Sequence, residues 1–317
     1  MILIFYVSFS VSINGVQTSR ILNANVINGV FEAQNCFFAS LTSSLNGGAI
    51  CISEIGSVSV SIKESSFVRC NATNYGGTYY MNSAESITSF LKVCISESQA
   101  NQGCTIYSKT SSSGSFYHLI DQMSIVKCCP VSTGAGGYSI NTYFGDMRMS
   151  RTNFSDSIVS HCLMALFSHS NLVHSYNNYQ SNQADIINGV VESIISSPIQ
   201  RCNFVSNIRI GTTQYGIVHN NNCSPYLNVS DCVFVGNTIR IFDEYVGKVY
   251  AYFCFIDSIS YSGSPVLYGC ITNTVAPTYA IDFLSQYKCH IIITENPRRD
   301  SYRLPFLLLF ICIITWY

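Results

Sequence analysis

The chain has 317 residues, of which only 10% are charged, against roughly 25% in an ordinary soluble domain. Its 16 basic and 17 acidic side chains leave a net charge of -1, which excludes electrostatic capture of nucleic acid. A content of 48% hydrophobic and 13% aromatic residues excludes a disordered chain, and 36 Ile against 16 Leu and 13 Ala point to a mostly β backbone.

In chain order, Met1 to Ser12 is a run of Ile, Leu, Phe, Tyr and Val broken by Ser8 and Ser10, with small or polar residues following to Gly15. Residues 1–15 are therefore expected to be a signal peptide, with a buried first strand as the other reading. Residues 16–35 are the candidate cap, because an open end of stacked strands exposes unpaired backbone groups.

From residue 36 to 295 the chain repeats itself. Phe38 and Phe67 are 29 residues apart, as are the pairs Gly47-Gly48 and Gly76-Gly77 that follow them. Cys202-Asn203-Phe204-Val205-Ser206-Asn207 returns 30 residues later as Cys232-Val233-Phe234-Val235-Gly236-Asn237. Weaker copies surround Cys94-Ile95-Ser96, Ile125-Val126-Lys127-Cys128, Asn153-Phe154-Ser155 and Cys254-Phe255-Ile256, each an apolar triplet next to a turn. A β-rich unit of this size cannot bury an apolar face alone, so it must stack on copies of itself, Phe on Phe and Asn on Asn. The Gly-Gly step supplies a corner that needs positive φ or close backbone approach, and the strand restarts after it. These features describe an all-β solenoid, a parallel β-helix.

Gly47-Gly48-Ala49-Ile50 together with Phe-x-x-Asn at 204–207 and 234–237 resembles the paired motifs of the chlamydial polymorphic outer membrane protein repeats. The chain is also similar to the related pectin-lyase-like surface proteins of anaerobic protists, over about residues 31 to 290. The resemblance implies a right-handed parallel β-helix exported to the cell surface, where it acts in adhesion or antigenic display. Gly76-Gly77-Thr78 and Gly136-Gly137-Tyr138 lack the Ala, residues 160 to 200 match poorly, and no autotransporter barrel follows, so the protist type fits better.

Among the 15 cysteines no Cys-x-x-Cys pair occurs, which leaves no zinc ribbon or thioredoxin-like site. Cys202 and Cys232 are expected one coil apart, at a separation of about 4.8 Å that permits either a disulfide or a stack of buried thiols. If Cys128-Cys129 lies in a strand, its side chains face opposite ways and only one enters the core. Sequons begin at Asn71, Asn153, Asn222 and Asn228; chance supplies about as many, and they become glycosylation acceptors only on export. His219-Asn220-Asn221-Asn222 is expected to be a solvated loop, with a sugar-binding edge as the other reading.

No catalytic constellation, cofactor motif or metal-ligand spacing is found in the sequence. His161, His169 and His174 are expected to be isolated or satisfied histidines beside a core strand at Leu163 to Phe167. The adjacent Asp243-Glu244 should point to opposite faces, and Asp231 with Asp257 is the pair of carboxylates that neighbouring coils could bring together.

Arg298, Arg299 and Arg303 precede an uncharged stretch, Leu304 to Tyr317, that closes on Trp316 and Tyr317. These are the flanks of a membrane segment, although the stretch spans only about 21 Å as a helix against about 30 Å of hydrocarbon. The expectation is a non-enzymatic, cell-surface, membrane-attached β-helix with an extracellular protein or glycan as partner. A secreted polysaccharide lyase or hydrolase on the same fold and a structural fragment of a larger surface protein are the alternatives.

Overall fold

The segment Ser57 to Lys63, with Val58, Val60 and Ile62 alternating with serines, shows how this chain builds strands. The three aliphatic side chains are buried and the serines between them face outward. Period-two alternation with β-branched inward residues is what a strand with one covered face requires. The same alternation recurs in Asp146–Ser150, Asn171–Ser175 and Lys248–Tyr252, whereas Cys162–Phe167 and Gly216–Asn221 are buried at successive positions. The computed structural model describes residues 10–272, apart from 18, 23–28, 112–115, 130–136, 168, 170, 192–196, 211–214, 222–225 and 246. The first nine residues of the expected signal peptide and the segment 304–317 lie outside the described residues.

The chain forms a parallel β-solenoid, and among the described residues there is no helix. Three ladders of parallel strands run along it, here called sheets I, II and III in the order each coil visits them. In two early coils single long strands, Ile50–Lys63 and Tyr79–Leu91, bend to serve both sheet I and sheet II. In later coils the bend has become a break: Ile106–Lys109 lies in sheet I and Tyr117–Asp121 in sheet II. Sheet III is made of three-residue strands such as Ser66–Val68, Cys94–Ser96 and Asn203–Val205. The ladder is already under way at Ser10–Gln17, which pairs with Gly29–Ala39, so residue 15 falls inside a strand.

Inward positions of sheet III follow one another in register: Phe38, Phe67, Ile95, Ile125, Phe154, Tyr179, Phe204, Phe234 and Ile256. Where aromatic residues meet, their rings stack nearly parallel. Centroids are 4.5 Å apart for Phe38 and Phe67, 4.9 Å for Phe154 and Tyr179, 5.0 Å for Tyr179 and Phe204, and 4.8 Å for Phe204 and Phe234. Each such ring is fully buried, and burial contributes about 1.5–3 kcal/mol per side chain before the stacking term.

Three residues further on comes a polar ladder. The amide of Cys70 donates to Ser98 Oγ and that of Cys128 to Ser157 Oγ; from there Asn182, Asn207 and Asn237 take over. Their Nδ2 groups also donate back to the carbonyls of Phe154, Tyr179 and Phe204. Turns that leave the sheet would otherwise bury unpaired amides, and this column of side chains satisfies them.

Both corners of sheet III are made by single residues in the left-handed region. Glu64, Lys92, Gln122, Arg151, Tyr176 and Arg201 enter the sheet, and Arg69, Glu97, Lys127, Asp156, Ser181 and Ser206 leave it, all at φ of about 50° to 60°. The corner before sheet I uses glycine for two separate reasons. Gly47 and Gly76 take φ of 61° and 63°, whereas Gly48 and Gly77 admit the next coil: a Cβ on Gly48 would lie 2.1 Å from the Gly77 carbonyl oxygen.

Cys128 and Cys129 do not lie in a strand, so the condition for opposite-facing side chains is not met. The strand ends at Val126, Cys129 turns with φ of 61°, and both residues are buried. Both belong to the interior core, where Cys129 forms a disulfide with Cys104 of the preceding coil. Cys104 stands at the corner position that Gly48 and Gly77 occupy in earlier coils.

Candidate ligand-binding face

Sheet I carries a second pattern on its outer surface. Cys51, Tyr80, Tyr107, Asn141 and Ala165 follow one another in register on the side away from the core, Tyr80, Asn141 and Ala165 being buried there, and two residues along, Asn82, Lys109, Tyr143 and Phe167 do the same. The rings touch from coil to coil. Tyr75 lies 4.8 Å from Tyr107, Tyr80 stacks on Tyr107 at 5.3 Å, Tyr107 lies 5.7 Å from Tyr143, and Tyr143 stacks on Phe167 at 4.6 Å. The run continues through Tyr138, His161 and Tyr215 to His219 at separations of 4.7 to 5.8 Å. Beneath its later part sits a small apolar cluster of Cys162, Ala165 and Ile186, separate from the interior core.

Charge is sparse on this face. Lys109 Nζ stands 6.0 Å over the Tyr143 ring, and His219 Nδ1 meets Asp243 Oδ2 at 2.5 Å, with both side chains buried. Burial raises the phenol pKa of Tyr80, Tyr107 and Tyr138, so these hydroxyls stay protonated at neutral pH and act as donor and acceptor. Burial also lowers the pKa of His161, against the pull of Asp185, and keeps the imidazole neutral. The result is a nearly uncharged strip of rings, half-buried at Tyr107, Tyr138, Tyr143 and Phe167 and buried at Tyr80 and His219. Such a surface can stack against apolar faces of a ligand and hydrogen-bond its rim.

The segment from His219 to Asn222 differs from the expected loop over its described part. His219 and Asn220 are buried in the strand Gly216–Asn221; His219 faces outward to Asp243, and Asn220 Nδ2 donates inward to the Lys248 carbonyl. Polar residue type alone suggested solvent, but a polar ladder inside a solenoid needs the same residues. Asn222 lies outside the described residues. Of the other sequon residues, Asn71 is in the short strand Asn71–Ala72, Asn153 faces outward on sheet III, and Asn228 faces outward on sheet II. All three are half-buried, and Asn153 Oδ1 accepts from Asn178 Nδ2 at 2.7 Å.

Asp231 and Asp257 do not meet. Asp231 turns the corner into sheet III, whereas Asp257 follows Ile256 at the far end of that sheet, where it accepts from the Gly236 amide. Asp243 and Glu244 point to opposite sides: Glu244 accepts from Lys248 Nζ, from the Val249 amide and from the Ser264 amide. The three histidines are dispersed. His169 binds Thr142 Oγ1 and the Gly145 carbonyl, His174 binds the Tyr179 hydroxyl, and His161 lies among the rings of Tyr138 and Tyr215. Among the described residues no group of three or more His, Cys, Asp or Glu side chains is placed to hold a metal ion.

Cys202 and Cys232 are neighbours in successive coils and are thiols, with the Cys202 amide 3.4 Å from Cys232 Sγ. Among the described residues no helix is long and apolar enough to cross a membrane. Compared with protein-family models, with curated proteins and with solved structures, the chain finds no match.

Proposed function

We propose that this protein is a non-enzymatic β-helix displayed at the cell surface, and that the outer face of sheet I is where it engages an extracellular protein or glycan. The observation that carries this reading is the run of rings from Tyr75 to His219, which continues from His161 to Tyr215 past the coil of Ile186–Val191, itself without an aromatic residue. Aromatic residues set in a surface with few charges are the composition of a recognition face, and a rigid solenoid holds them without an ordering cost on binding. The solenoid is taken as right-handed, because parallel strands joined by crossovers in one sheet adopt that hand almost without exception. Export through residues 1–15, attachment through 304–317 and kinship with the protist surface proteins complete the reading.

The test is protease shaving of intact cells that express a tagged full-length chain, followed by detergent phase partitioning. Loss of the tag on shaving, with the remainder in the detergent phase, is expected. A protected protein in the aqueous phase would overturn surface display. For the face itself, the purified chain is screened against glycans and cell-surface proteins. The pair Tyr107→Ala and Tyr143→Ala is expected to weaken the binding found by tenfold or more, whereas Arg148→Ala, outward on sheet II, leaves it unchanged.

A further inference from the structure

Cys202, Cys232, Cys254 and Cys270 occupy one corner in four successive coils. The carbonyl of each of the first three accepts the amide that follows the next cysteine: Val233 to Cys202 at 2.9 Å, Phe255 to Cys232 at 2.8 Å, Ile271 to Cys254 at 2.9 Å. Adjacent parallel strands are about 4.8 Å apart, inside the range of Cα separations that a disulfide spans. The chain already joins successive coils in this way between Cys104 and Cys129, whose Cα atoms are 5.7 Å apart. In the stack, Cys254 Sγ lies 3.6 Å from the Val229 carbonyl oxygen and Cys270 Sγ 3.5 Å from that of Ala251, so each sulfur reaches back over the coil before it. By contrast Cys70 and Cys128 share an inward ladder but are separated by Ser98, so no bridge can link them.

Access differs along the stack. Cys202, Cys232 and Cys254 are buried, at 0 to 1% exposure, whereas Cys270 is half-buried. Exchange requires an incoming disulfide to approach in line with the attacked sulfur, so reaction enters at Cys270. The final described coil also gains from a covalent tie, since Tyr268 and Ile271 are 49% and 56% exposed and contribute little apolar burial.

We propose that Cys254 and Cys270 are a disulfide-forming pair that staples this coil to its neighbour. In the first step the Cys270 thiolate attacks a small-molecule disulfide such as oxidised glutathione, forming a mixed disulfide and expelling one glutathione thiolate. The Cys254 thiolate then attacks Cys270 Sγ, forming the internal disulfide and expelling the second. The two protons released by the protein thiols go to the two glutathione thiolates, and the oxidant's disulfide takes up the two electrons. Cys232 raises the pKa of Cys254, Cys270 pulls it down and burial raises it further, while Cys254 and then burial raise that of Cys270, so exchange accelerates with rising pH.

The full chain, reduced under native conditions, is incubated with oxidised glutathione at mildly alkaline pH, quenched with N-ethylmaleimide, cut with chymotrypsin and mapped by mass spectrometry. Linked Cys254 and Cys270 peptides are expected, with alkylation of both residues down at least tenfold. In Cys254→Ser the reaction should stop at a glutathione adduct on Cys270. The proposal is overturned if the wild type keeps that adduct as long as the variant does, if Cys270 does not react, or if Cys202 and Cys232 link first.

Discussion

The backbone amide and the side-chain Nδ2 of Asn207 both donate to Oδ1 of Asn237, each at 3.0 Å. Asn207 Oδ1 in turn accepts two hydrogen bonds from Asn182, so the residue is a link in a column and not an isolated cap. Only a side chain with an acceptor at this reach, and ideally a donor beside it, serves the position. Asn207→Ala therefore strands the Asn182 amide and the Tyr179 carbonyl and should cost about 2 to 3 kcal/mol in denaturant unfolding. Asn207→Ser should cost less, because Ser98 and Ser157 perform the amide-capping half of the role in earlier coils. Equal losses for the two variants would show that packing, not hydrogen bonding, sets the residue.

Glycines along the chain should separate sharply. A Cβ on Gly48 would lie 2.1 Å from the Gly77 oxygen and 2.6 Å from the Asn71 nitrogen, and backbone on both sides leaves nothing to move aside. A Cβ on Gly137 would meet nothing within 4 Å. Gly48→Ala is expected to destabilise by about 3 kcal/mol or more, whereas Gly137→Ala stays within about 0.5 kcal/mol or stabilises slightly. Thermal unfolding of the two variants decides it; a mild Gly48→Ala would mean that the coils do not approach as closely as described.

Phe204 tests the interior stack. It lies between Tyr179 and Phe234, fully buried, and its replacement by Ala should cost about 3 to 5 kcal/mol. Its neighbour Val205 faces outward, and Val205→Ala should cost less than about 1 kcal/mol. Similar losses at both positions would place the wrong face of this strand inward.

The inward ladder of sheet III shows what could be read from the residues and what could not. Phe204 and Phe234, and Phe38 and Phe67, announce their pairing because the same residue returns after 29 or 30 positions. Phe154, Tyr179 and Phe204 are equally well stacked, but hydrogen bonds between their coils span 25 residues, so a repeat sought at 30 slides past them. This is why residues 160 to 200 look unmatched although they continue the solenoid. Corners into sheet III are invisible for another reason. Their common property is a positive φ adopted by Glu64, Lys92, Arg151 and Tyr176 alike, and no shared chemistry marks it. The aromatic face is intermediate: Tyr80, Tyr107 and Tyr143 are conspicuous as residues, but only the register places Tyr80 beside Tyr107, and Tyr143 two positions along.

Three histidines in the interior make stability depend on pH. Burial first of all lowers the pKa of each: His118 to about 3, with His169 adding to the effect, His169 to about 4, and His174 to about 3. His118 Nδ1 lies 2.7 Å from Thr88 Oγ1 and 3.3 Å from Ser108 Oγ, a setting that accommodates a neutral ring between hydroxyls. In the unfolded chain the same groups titrate near 6.5. Between about pH 6.5 and 4 the unfolded state thus binds more protons than the folded one, so stability rises with pH across that window and is lost as pH falls through it. Above pH 6.5 both states are neutral and the dependence vanishes. Each histidine contributes a slope of about 1.4 kcal/mol per pH unit, about 4 for the three together. Urea unfolding at steps from pH 7.5 to 5 should show a flat region followed by this decline, and His118→Gln should reduce the slope by the share of one proton. A stability that stays level down to pH 5, or a slope unchanged in the variant, would mean that the ring at 118 titrates normally and is open to water.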